Sequence, residues 1–354
     1  MKKLARIILL PLFLLSCATF EKGSDSDVEV QRYWPPGPDL PRYEYLMRIY
    51  SSADILKKTD DDLLKEFVVG KPLPEYIFKR PVDVASGSGM LYVLDSETPL
   101  VHVFDFARRS YFKFGYRFEG ELAKPVGITV DKKGRVYVAD RGRNSIIIYD
   151  GFGLFQSLID LNGITTQLAG IVTDPEGNII YVVDRGGIDS EAHQIIVLKG
   201  NGELVKRIGS RGREAGQFNL PMDVALGSNN ILYVLDTGNF RVQTFDGEGE
   251  PLSSWGSAGN GIGQFGMPRS ITLDRDNNVY VSDAQFGNVQ VFNSDGELLM
   301  PIGRLSQKDL PGQYSLITGV TFDKRDNLYV LDQYFKKIEI FKKLTDLEQS
   351  RILE

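Results

Sequence analysis

The side chains that most often carry chemistry are scarce in this chain. Among 354 residues there are two histidines and one cysteine. A catalytic zinc needs about three nitrogen, sulfur or carboxylate ligands, and no stretch gathers them. His102 falls inside the strand-like run VHVF and reads as a packed side chain. His193 shares the extended stretch Arg185 to Gln194 with Asp189 and Glu191, which could hold a metal, work as acid and base, or form a plain surface insertion. No serine, cysteine or lysine stands in a nucleophile motif. Two glycine-rich stretches, GSRGREAGQFNLP from Gly209 and GSAGNGIGQFGMP from Gly256, lack the following helix and the Lys-Ser/Thr pair of a phosphate loop. They read as tight connections, with Phe218 and Phe265 as wedges between neighbouring units.

What does recur is aspartate. It closes LYVLD, VYVAD, IYVVD, LYVLD, VYVSD and LYVLD at Asp95, Asp140, Asp184, Asp236, Asp283 and Asp332, with steps of 45, 44, 52, 47 and 49 residues. An Asp at the end of a strand can accept hydrogen bonds from the backbone of its own turn, so recurrence here points to turn capping. The element around each Asp is clearest between Leu220 and Trp255. There Met222–Leu226, Ile231–Leu235, Arg241–Phe245 and Leu252–Trp255 are β-branched, aromatic or alternating. Asn229-Asn230, Gly238-Asn239 and Asp246-Gly247 lie between them as turns. Four strands at this period fit one propeller blade.

Pro221, Tyr233 to Asp236, Gly238, Asn239, Arg241, Val242 and Phe245 carry nearly the whole pattern Pro-x-Gly-Ile, Tyr-Val-x-Asp, Gly-Asn-x-Arg and Val-x-x-Phe. The chain thereby resembles the NHL repeat over about residues 80 to 341, although the first and third units lack the Gly-Asn-x-Arg turn. The resemblance implies an all-β fold: a six-bladed β-propeller of four-stranded antiparallel blades. The sixth unit ends at its third strand, IEIFKK, so the missing outer strand is expected from Arg42 to Tyr50, closing the ring through an N-terminal strand. The tail after Leu344 reads as a short helix, with Thr345 and Glu348 spaced as a capping box.

In such a ring the loops leaving each Tyr-Val-x-Asp strand and the connections between blades share one face, here termed the top. Where the family pattern opens each innermost strand with Gly, this chain has Asp83, Gly127, Gly170, Asp223, Ser270 and Gly319. Asp83 and Asp223, on opposite blades, would face each other across the channel, either as a site for calcium or as two hydrated acids. The top also carries an arginine arc, Arg141, Arg143, Arg185, Arg211, Arg213 and Arg241, and an aromatic arc, Phe240, Phe286, Tyr334 and Phe335. Arg and aromatic residues dominate protein-binding hot spots, so the two arcs either receive a partner or pack against their own loops.

The first sixteen residues, MKKLARIILLPLFLLS, have a basic start and an apolar run too short to span a membrane, as an export signal does. Leu14-Leu15-Ser16-Cys17 resembles a bacterial lipobox, which implies lipidation of Cys17 and a membrane anchor. Residues 17–41, rich in Ser, Asp, Glu and Pro, read as a tether before a propeller at 42–344 and a tail at 345–354. A short helix is expected around Asp60 to Phe67. Removing Lys2, Lys3 and Arg6 from 41 basic residues leaves 38 against 47 acidic ones, a net charge near −9. An exported acidic body is a poor nucleic-acid binder. The expectation is therefore a lipid-anchored, non-enzymatic scaffold for envelope proteins, possible as an accessory to an electron-transfer complex, with the outer membrane as its location. No cofactor other than calcium is expected. The alternative is a metal-dependent propeller enzyme, lactonase-like or lyase-like, acting at the channel mouth.

Overall fold

The unit read at Leu220 to Trp255 folds as Asp223–Leu226, Leu232–Asp236, Arg241–Phe245 and Pro251–Trp255, paired antiparallel in chain order. The computed structural model describes residues 32–57, 67–68 and 77–353. The export signal, Cys17, the tether as far as residue 31 and all but Phe67 of the expected helix at 60–67 lie outside them. Blades 1 to 5, at 81–114, 125–160, 168–208, 223–255 and 268–302, are four-stranded antiparallel sheets, and with a sixth, at 317–343, they form the all-β propeller. Among the described residues no helix is long and apolar enough to cross a membrane.

The core lies between blades because each sheet is apolar on both faces. Tyr92, Tyr137, Tyr233 and Tyr280, from four of the Tyr-Val-x-Asp strands, are fully buried. Phe218 and Phe265 are buried wedges, 5.5 Å from the ring of Phe245 and 5.8 Å from that of Phe292. The glycines before them are required. Gly209 and Gly256 have φ of 84° and 99°, and a Cβ at either would collide with its phenylalanine.

Closure is as expected. Tyr43–Ile49 forms the outer strand of blade 6, in register from Tyr43 opposite Lys343 to Ile49 opposite Ile338. One boundary moves. Tyr33–Trp34 adds a fifth strand, opposite Glu44 and Tyr43, and buried Trp34 stands edge-on to Phe341 at 5.1 Å. The propeller therefore begins at Tyr33 rather than Arg42, since Trp34 has an apolar seat that a Pro-rich tether would not need. Asp346–Leu353 is the expected helix, with Thr345 and Glu348 bonding reciprocally.

Blade 6 also differs inside. In blades 4 and 5 a buried third-strand glutamine, Gln243 or Gln290, accepts from the amide of Gly216 or Gly263 at 3.1 Å. Each donates to the carbonyl of Gln217 or Gln264, at 2.7 and 2.8 Å. In blade 6 Glu339 accepts from the Gly312 amide at 2.9 Å. Its buried partner Lys337, 2.8 Å away, donates to the Gln313 carbonyl at 2.9 Å. The same connection is thus held by an ion pair.

Candidate functional site at the channel mouth

The six repeating aspartates set the top face. All are fully buried, and each binds the segment entering its own blade. Asp95 accepts from the amides of Lys79 and Arg80, Asp140 from Ala123 and Lys124, and Asp283 from Gly266 and Met267, at 2.6 to 3.2 Å. Turn capping is therefore half their role; the other half is to fix where each innermost strand starts. In three of the blades the residue after the Asp reaches to the next one. Arg141, Thr237 and Gln333 donate to the carbonyls of Leu168, Pro268 and Pro81, at 2.6 to 3.2 Å.

Four residues that follow these aspartates, Ser96, Arg141, Arg185 and Gln333, line a cavity of about 410 Å³ at the top of the channel. Its apolar walls include Val82, Val126, Ala169 and Met222, and five cationic side chains border it: Arg80, Lys124, Arg141, Arg185 and Arg269. Arg185 occupies the place from which Arg141 staples the next blade, yet its Nε is buried without a hydrogen-bond partner. The Nε of Arg269 is in the same condition. Burial lowers the pKa of Arg141, Arg185 and Arg269 from the ordinary value. Arg185 lowers it further for Arg141, and Arg185 and Arg80 do so for Arg269. Like charges gather here, and among the described residues none of the three forms an ion pair.

Asp83 and Asp223 also line the mouth. Each carboxylate accepts the amide of its following residue, Val84 at 2.8 Å or Val224 at 2.9 Å. Each then bridges to the next blade, accepting Ile128 or Ile271 N–H at 2.9 Å. They satisfy donors on the exposed edge of the innermost strands. Glycine at the preceding blade is the counterpart: a Cβ on Gly170 would strike the Asp223 carboxylate. Burial raises the pKa of Asp83 well above the ordinary range, with the charge of Asp223 adding to it, and pushes Asp223 up to about 6. Calcium takes roughly six to eight oxygen ligands. The two carboxylates have backbone amides around them, and among the described residues no group of three or more His, Cys, Asp or Glu assembles. The donor set does not fit calcium.

The two histidines are structural. His102 is buried, bonded through Nδ1 to the Tyr111 hydroxyl at 2.8 Å, and its pKa is pushed down to about 4 by burial. His193 accepts the Leu220 amide at Nδ1, 3.1 Å away, so Nε2 carries the proton and donates to the Gly187 carbonyl at 3.0 Å. It ties its long loop to the entry of blade 4. Asp189 and Glu191 stay exposed on that loop.

With this geometry in place, similarity to known proteins decides the family. The NHL repeat model matches residues 122–149 and 218–245, two repeats of the ring just described. This chain is an NHL-repeat six-bladed β-propeller. The NHL propeller is similar in fold to a virginiamycin B lyase from Staphylococcus aureus (TM-score 0.55, 15% identity, covering 75% of this chain and 95% of that one). It is likewise similar to a gluconolactonase from Xanthomonas campestris (0.57, 17%, 75% and 87%) and to a chain of a nidogen/laminin complex (0.53, 17%, 68% and 84%). At such identities the likeness is one of fold.

The arginine arc of the NHL propeller divides. Arg141 and Arg185 turn to the mouth. Arg143 donates to the carbonyls of Glu119 and Glu121 at 2.7 and 2.8 Å, and Arg241 to Asp236, Glu214 and Gln217, each at 2.9 Å. Arg211 lies 3.6 Å from Glu191, and Arg213 is exposed. The aromatic arc divides too. Phe240 and Phe286 are partly buried, and Phe335 lies under the Lys337 ammonium at 5.4 Å. Only Tyr334 of this arc stands out, 65% exposed. Arg269, Arg80 and Lys124 were missing from the sequence reading. The signal for Arg269 was available: the residue after the strand-opening Pro or its equivalent is Val82, Val126, Ala169, Met222 or Thr318 elsewhere, and Arg only in blade 5.

Proposed function

We propose that this NHL propeller is an exported, lipid-anchored binding scaffold that engages an envelope protein through its top face and has no catalytic role of its own. Cys17 carries the anchor in this reading, at the bacterial outer membrane, and the acidic body keeps it off nucleic acid. The observation that carries the reading is the distribution of exposed apolar side chains. Phe118, Ile188, Ile262, Leu305 and Tyr334, each more than half exposed, sit on top connections spread around the ring. Elsewhere among the described residues, Phe152 and Leu154 of one turn, Leu347 of the C-terminal helix, Leu252 of an outer strand, and Phe67 and Val68 ahead of the first blade are as exposed, but none of them borders the mouth. Apolar side chains ringing a charged mouth match the mixed chemistry of a protein-docking face.

The test compares binding to solubilised native membrane by full-length protein carrying Tyr334→Ala, Ile262→Ala or Phe152→Ala. The two top-face variants should lose a defined partner mainly through faster dissociation, at about 2 kcal/mol for an anchor residue, while Phe152→Ala retains it. Loss only with Phe152→Ala would place docking on the other face and end this reading. For the anchor, Cys17→Ser should abolish acyl labelling.

A second reading, an enzyme at the same mouth, draws on Asp223, raised by burial to about 6, where a carboxyl suits proton transfer, with Asp83 raised beside it. It predicts turnover of an anionic substrate that Asp223→Asn removes without loss of substrate binding.

A further inference from the structure

We propose that the channel mouth is a binding site for a small organic anion bearing two or more carboxylate groups. This goes beyond the docking reading: the ligand is a free small molecule, and either statement can fail without the other.

Three guanidinium groups converge from different blades, Arg141 from blade 2, Arg185 from blade 3 and Arg269 from blade 5, with Arg80 and Lys124 on the same lining. Gathering like charges at a partly buried place costs free energy unless an opposite charge is present. Among the described residues these guanidinium groups have no acidic partner, and Arg185 and Arg269 keep buried Nε atoms without acceptors. Arg141 is positioned by the Leu168 carbonyl, whereas Arg185 and Arg269 have their donors to offer. Thr318, 7% exposed and lining the same cavity, has a hydroxyl that is also unpartnered.

The arrangement selects among anions. A guanidinium pairs with a carboxylate through two parallel N–H···O bonds. Because the guanidiniums are spread around the ring, a compact anion meets one or two of them, whereas carboxylates on a short carbon skeleton meet several. Val82, Val126 and Met222 provide apolar wall for that skeleton, and about 410 Å³ is within the range of small-molecule pockets. Asp83 and Asp223, on the same lining, are taken up by backbone amides and leave the guanidiniums to an incoming anion.

The test is calorimetric titration of the full-length protein with propane-1,2,3-tricarboxylate, alongside inorganic phosphate. Saturable binding of one tricarboxylate per chain is expected. Arg185→Gln and Arg269→Met should each weaken it about tenfold or more, the loss of a charge-assisted pair. Arg269→Met installs the residue blade 4 has at this place, so the fold tolerates it. Arg213→Gln, on an exposed top connection away from the mouth, should leave affinity unchanged. No saturable binding, equal affinity in the Arg185 and Arg269 variants, or phosphate bound as tightly as the tricarboxylate would each overturn the proposal.

Discussion

Ring closure by the N-terminal strand can be measured with one side-chain truncation. Ile49 is fully buried opposite Ile338 and packs in the cluster containing Val93, Phe104, Leu331 and Ile338, which joins blade 6 to blade 1. Ile49→Ala removes about three methylene equivalents from a site walled by rigid strands, so little collapse follows and the cost should be about 2–5 kcal/mol. Leu46, on the same strand but 45% exposed, is the control, with a change of about 0.5 kcal/mol or less expected for Leu46→Ala. Urea unfolding followed by fluorescence suits the case, because the chain has two tryptophans and Trp34 lies in the closing segment while Trp255 lies in blade 4. The midpoint should fall for Ile49→Ala and stay for Leu46→Ala. In a closed ring both tryptophans should report one transition. Equal midpoints in the two variants would refute closure as a source of stability.

The aspartate clamp predicts that Asp236→Ala costs about 3–5 kcal/mol, because Asn219 N–H, Asn239 Nδ2 and Arg241 Nε lose a buried acceptor together; thermal unfolding would show it. Lys337→Met should cost about as much by leaving Glu339 buried alone. Adding Glu339→Gln should recover much of the loss, since it recreates the glutamine of blades 4 and 5. The channel carboxyls predict a pH dependence. Asp223 is raised from 3.8 to about 6, so the folded state holds the proton more tightly. The contribution is full below about pH 4 and is lost as pH rises through about 6, by at most about 3 kcal/mol. Urea midpoints between pH 4 and 7 should fall with this slope, and Asp223→Asn should flatten it; an unchanged slope would contradict the assignment.

Much of the ring was legible because its period is set by residues with one local task. Tyr-Val-x-Asp marks a buried strand and a clamp, and both are written within a few residues. The outer strand at Tyr43–Ile49 was legible from arithmetic, since blade 6 ran out of chain. Trp34 was not, because a Trp-Pro-Pro-Gly-Pro run looks the same in a tether and in a fifth strand; its seat on Phe341 is made by residues three hundred positions away. The mouth was half legible for the same reason. Asp83 and Asp223 announced themselves by replacing glycine, but their bonds to Ile128 and Ile271 belong to neighbouring blades. Arg143 and Arg241 looked like Arg141 and Arg185 in sequence, and only the ring decides which of them bond loop carbonyls and which face the channel.

The central claim is that the top face docks a partner. A photo-crosslinking residue placed at Tyr334, and in separate preparations at Ile262 and at Phe152, tests it in the native membrane. One protein should be captured from both Tyr334 and Ile262 and not from Phe152. Capture from Phe152 alone, or different proteins from the two top positions, would contradict the claim.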